Sequence, residues 1–165
     1  VKPDGFRISD KAEKFHGISN NLVSSQGQQL KAVMREFMDD MIDIYNKGGR
    51  VVIHHLEFDA GIINRELDRA SLSELQEIWA YIARGGFCTM DPGIGKWVRQ
   101  CLGMEIAPYH NSNTMRLNDM LEGLVPQRAS LMSSRHSAGV DAQLHVMLYR
   151  ALLQLTKKAE VSEVS

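Results

Sequence analysis

The chain has 165 residues, 44% of them apolar and 24% charged, with a net charge of −1. That size and mix suit one globular domain with a real core and exclude a disordered or disulfide-stapled chain. The near-zero charge excludes binding of a polyanion through overall charge, so any nucleic-acid contact falls to a local patch or to a screening metal ion. Two cysteines, Cys88 and Cys101, lack metal-ligand spacing. They read as reduced thiols, from which we expect an intracellular setting. No apolar run reaches membrane-spanning length and no signal-peptide pattern opens the sequence, so no membrane partner is expected. The first residue is valine, as expected of a piece excised from a longer chain.

Residues 1–8 read as a loop with Pro3 and Gly5, followed by a short helix from Ser9 to Phe15 that His16-Gly17 stops. Ser24 or Ser25 is a candidate cap for the next helix. Its apolar residues Leu30, Val33, Met34, Phe37, Met38, Met41, Ile42 and Tyr45 keep helical spacing until Gly48-Gly49. Val51-Val52-Ile53 then breaks that period; a β-branched run without polar alternation predicts a buried parallel strand. A helix is expected from Ala60 to Asp68. Ser71-Leu72-Ser73-Glu74 resembles a capping box for another, with Leu75, Ile78, Trp79 and Ile82 turned inward. Phe87-Cys88-Thr89-Met90 is the second strand candidate. A helix over residues 94–102, a polar loop over 104–113, a helix over 114–122 and a loop over 123–134 follow. The last helix is expected over residues 139–158. Alternating helices and strands predict an α/β fold, with residues 1–159 as one domain and 160–165 as a frayed tail.

Two runs carry chemistry. His136-Ser137-Ala138-Gly139-Val140-Asp141 sets a histidine five residues before an aspartate at the mouth of the last helix. His54-His55-Leu56-Glu57-Phe58-Asp59 ends the first strand candidate on another carboxylate. A histidine that takes a proton and two carboxylates that hold a divalent cation are parts of metal-assisted phosphodiester cleavage. Each residue has a plainer reading as well. Asp141 suits a helix dipole, worth about 0.5 kcal/mol, and Asp59 suits an N-cap. Strand alternation would send His54 and His55 to opposite faces, and a zinc site there lacks a third ligand. His16 could simply end its helix. Met34, Met38 and Met41 read as core filler, and Trp79, Trp97 and Tyr149 as core before base-stacking platforms. Lys96, Arg99, Arg116, Arg128 and Arg135 surround the later loops, as a local basic patch or a scattered solvated surface.

These residues resemble the DEDDh class of 3′-to-5′ exonucleases, which includes proofreading subunits of DNA polymerases. His54, Phe58 and Asp59 match that family's His-Asn-x-x-Phe-Asp motif, with His55 in the asparagine's place. His136, Ala138 and Asp141 match its His-x-Ala-x-x-Asp motif. His16-Gly17-Ile18-Ser19 looks like its His-Gly-Ile-Thr/Ser segment, and Asp91 falls where the family often has Asp-Thr.

The resemblance implies a ribonuclease-H-like fold, N-terminally incomplete, with the first three strands absent and helices packed on a small parallel sheet remnant. It implies His136 as the base, Asp59 and Asp141 as ligands of a two-metal Mg²⁺ or Mn²⁺ site, and His16, His54 and His55 as substrate contacts. The partner would be a single-stranded DNA or RNA 3′ end. The family's Asp-x-Glu motif should precede His16 and is not present here. Residues 1–165 are therefore expected to be inactive alone, or else to be a non-catalytic descendant that binds nucleic acid or protein. An unrelated α/β protein with chance matches is the third reading. A sheet remnant with a bare edge also predicts self-association through that edge.

Overall fold

The computed structural model describes residues 1–3, 5–128, 131 and 138–163, without the side chains of 110–111 and 158–163. It is mostly helical, with one small parallel sheet, which agrees with α/β at that coarse level. The described residues gather in two compact units. The first is Val1–Val51 with Glu57–Gly86; the second is Val52–Leu56 with Phe87–Ser165.

In the first unit, α1 (Asp10–His16) starts where Ser9 accepts from the Ala12 N–H, and ends at Gly17, whose φ of 73° is left-handed. The long helix expected from Ser24 or Ser25 is instead two helices. Ser19 caps α2 (Asn20–Gln26), and α3 (Leu30–Asn46) begins where the apolar stripe begins. The reason for the break is local. Residues 27–29 run extended, and a Cβ on Gly27 would stand 2.9 Å from the Lys2 nitrogen, so the chain's first residues lie flush on this glycine.

The next helix, α4 (Leu56–Arg69), starts four residues earlier than expected. The proposed capping box also differs. Residues Ser73–Leu75 form a 3₁₀ turn, no side chain caps α5 (Gln76–Arg84), and Ser73 donates to Asp68 instead, at 3.1 Å. Met34, Met38, Leu67, Ala70, Leu72, Trp79 and Ile82 make the core of this unit. Ile78, expected inside, is exposed, because α5 buries only the stripe through Trp79 and Ile82. Trp79 meets Phe37 edge-on and donates its ring N–H to the Ala60 carbonyl, so the indole is a core residue with a satisfied polar atom.

In the second unit, β1 (Val52–Ile53) and β2 (Phe87–Cys88) run parallel, Val52 opposite Phe87 and Ile53 opposite Cys88. Asp91 caps α6 (Pro92–Cys101) through bonds to the Gly93 and Ile94 nitrogens, with proline in the first turn, where it loses no helix bond. The expected polar loop closes on buried Asn113, which bonds both polar groups of the Ala107 backbone and the Tyr109 carbonyl. Next come α7 (Leu117–Leu124) and the long α8 (Ala138–Glu163), which extends past the expected end at residue 158. Val98, Met115, Met120, Leu121, Val125, Leu144, Leu148 and Leu152 form this unit's core. No helix among the described residues is long and apolar enough to cross a membrane.

Candidate functional site

The sheet stops early and so redirects both histidines. His54 and His55 form a tight turn between β1 and α4, with His55 at a φ of 75°. Neither lies in the strand, so alternation does not sort them to opposite faces. A histidine tolerates the left-handed region better than most residues with a Cβ, as asparagine does. Asp59, whose plainer reading is an N-cap, lies instead inside the first turn of α4, half-buried. It still complements the positive end of the helix dipole there.

His54 is half-buried, and its Nδ1 lies 3.0 Å from the Oγ1 of Thr89, a fully buried side chain one residue beyond β2. The Thr89 N–H in turn donates to the Ile53 carbonyl at 3.0 Å, extending the ladder to the point where the histidine leaves it. Burial holds the His54 imidazole below its ordinary pKa, with further lowering from the charges of His145 and His55.

Asp141 sits half-buried in the first turn of α8, and that helix packs on β1. One turn on, the His145 Nδ1 lies 2.7 Å from the Asp141 carbonyl oxygen. A carbonyl only accepts, so that nitrogen carries the proton and a neutral His145 presents Nε2 as an acceptor. The sequence reading overlooked His145 and Thr89. The signal for His145 was its spacing of four from Asp141, which on a helix places both on one face. Thr89 carried no such signal, being read only as strand.

The second unit thus holds His54, His55, Thr89, Asp141 and His145, whereas Asp59 and His16 belong to the first unit. His16 ends α1 and its Nδ1 accepts from the Ile18 N–H at 3.0 Å, which places its proton on Nε2 when neutral. The expected base, His136, lies outside the described residues, as does Arg135. Of the other cations near the later loops, Arg128 pairs with Glu122 at 3.6 Å and Arg99 reaches the Glu105 carbonyl at 3.4 Å. Tyr149 meets Phe87 edge-on and Trp97 packs against the second core, so both serve packing.

The implied cations need three or more donors drawn together. Among the described residues, no group of three His, Cys, Asp or Glu side chains is placed to hold a metal ion. The described donors therefore do not fit a metal centre by themselves. No family model matches the chain, and no curated protein or solved structure matches it.

Proposed function

We propose that the chain carries the second and third acidic motifs of a DEDDh-type 3′-to-5′ exonuclease domain with a ribonuclease-H-like fold. Its substrate is a single-stranded DNA or RNA 3′ end, and residues 1–165 do not cleave it on their own. One observation supports the reading most. Within the second unit, His54 leaves the end of β1 bonded to Thr89, and Asp141 stands in the first turn of the helix that packs on β1. Open α/β sheets gather ligands at the carboxyl ends of their parallel strands, where His54 stands.

In this reading His54, half-buried and kept neutral, offers the strand end a hydrogen-bonding imidazole without a repelling charge. His136 takes the proton of the attacking water, an assignment that rests on the motif alone. The lack of a three-donor group among the described residues favours a second reading, a non-catalytic descendant that binds nucleic acid or protein.

The test is degradation of a 3′-labelled single strand with Mg²⁺, Mn²⁺ or a chelator. Residues 1–165 should leave the strand intact. A longer polypeptide that restores an Asp-x-Glu strand should degrade it, and His136→Ala there should slow it by about 10²-fold or more, the scale of general-base loss. Chelator-sensitive cleavage by residues 1–165 would refute the need for further acids. An inert longer polypeptide that still binds the strand would favour the second reading.

A further inference from the structure

The first unit holds a cavity of about 380 Å³ lined by Lys2, Pro3, Gln29, Leu30, Lys31, Arg69 and Ala70. Three of the seven side chains are cationic and none is acidic. The walls are fixed by packing rather than by chance approach. The Lys2 N–H donates to the Gln28 carbonyl at 2.8 Å, against a Gly27 that leaves no room for a Cβ. Leu30 and Ala70 anchor the floor in the unit's core. The Arg69 guanidinium is already matched, since its Nη1 bonds both oxygens of Glu66 at 2.8 Å and its Cζ lies 5.9 Å from the centroid of the Phe6 ring. Lys2 and Lys31 are in no ion pair among the described residues, so theirs is the charge on offer.

We propose that this cavity binds a phosphate group, and that the phosphate belongs to the backbone of a single-stranded nucleic acid. The choice of carrier rests on the function proposed above; the anion site does not. The volume lies at the lower end of the range for small-molecule sites, about 300–1,000 Å³, and greatly exceeds the roughly 30 Å³ share of one water. A metal cation would be repelled by the lysines, and an apolar ligand would strip water from them without return. A phosphate matches the sign of both lysines that line the cavity, and the start of α3, which no side chain caps, adds positive potential of the same sign.

The experiment measures binding of a labelled oligothymidylate by fluorescence anisotropy, with chelator present, between about 50 and 200 mM salt. The variant is Lys2→Glu/Lys31→Glu, and a charge-matched control is Lys11→Glu/Lys14→Glu, on exposed positions of α1 in the same unit. The variant should bind about tenfold or more weakly. Its plot of log affinity against log salt should flatten by about 0.7, the single-strand value for one phosphate contact. The control should match the wild type.

A second arm titrates inorganic phosphate and follows the amide resonances of Leu30, Lys31 and Ala70. Shifts in the wild type that vanish in the variant, with no strand binding, would keep the site and refute both the carrier and the proposed function. Equal strand affinity in variant and control, with no phosphate shift, would overturn the proposal.

Discussion

Replacing Thr89 by valine removes one hydroxyl from the candidate site and nearly preserves shape, so it isolates one bond. Thr89 is 0% exposed, its Oγ1 lies 3.0 Å from His54 Nδ1, and its backbone stays tied to Ile53. A net hydrogen bond is worth about 1 kcal/mol, and a buried polar atom left unpaired adds about 1–3 kcal/mol. His54 is only half-buried, so water can reach its freed nitrogen and the second cost is mostly avoided. The expected loss is therefore about 1–2 kcal/mol at pH 8, read as a lower urea midpoint at amides of the second unit. The pH dependence comes from His54 itself. Its folded pKa is depressed, by burial first and then by His145 and His55, so between that value and about 6.5 the unfolded chain binds the extra proton. This stability is full above about pH 6.5 and falls as the pH drops toward the folded pKa. One proton limits the slope to about 1.4 kcal/mol per pH unit. His54→Asn should remove that part of the slope. A neutral Thr89→Val, or a His54 that titrates by NMR at or above its ordinary value, would refute the reasoning.

Glycine and cap substitutions test the local packing of each unit. A Cβ on Gly95 would run into the Asn113 carbonyl oxygen, whereas one on Gly61 would meet only the Arg65 side chain, at 3.6 Å. Gly95→Ala should destabilise by about 1–3 kcal/mol despite a helix-propensity gain near 1 kcal/mol, while Gly61→Ala should stabilise by about 0.5–1 kcal/mol. Urea midpoints in the opposite order would contradict this account. Asp91→Ala removes the cap of α6 and should cost about 1 kcal/mol, which Asp91→Ser should largely restore.

Where caps and stripes coincide, the sequence is a good guide. Ser9 and Gly17 bound α1, and Leu30 to Tyr45 mark one face of α3. It fails where a segment is defined by contact instead. Asn20–Gln26 has no apolar stripe, and its helix exists because Ser19 caps it and Asn20 bonds both polar groups of the Ile8 backbone. The start of α4 was missed because a positive φ at a histidine leaves no mark in a pattern of apolar residues. The strand runs were located correctly but are shorter than expected, because only two residues of each find a ladder partner among those described. Asp141 at a helix start was legible by type and spacing, and so was His54 at a strand end. Its hydrogen-bonded partner, Thr89, was not, since a threonine after a strand has no distinguishing neighbour in sequence.

The two-stranded sheet poses a physical question of its own. Parallel strands are normally covered on both faces and joined by several neighbours, and two alone are marginal. Here the ladder is two residue pairs long, and the described contacts that hold it are the Thr89–Ile53 bond, the packing of α8 on β1 and the edge-on contact of Phe87 with Tyr149, centroids 5.2 Å apart. Such a pair holds because α8 covers it, not because the ladder is strong. Tyr149→Ala should therefore loosen the sheet by more than the edge-on contact alone, about 0.5–1.5 kcal/mol, because the buried area of the ring goes with it. Each strand also has one side without a ladder partner among the described residues. Backbone groups left that way recruit other strands. Residues 1–165 should associate as concentration rises, with a melting temperature that depends on concentration, and Tyr149→Ala should strengthen that tendency by exposing more of the pair. A monomer by analytical ultracentrifugation, with one sharp melting transition at every concentration, would show that the pair is already closed off.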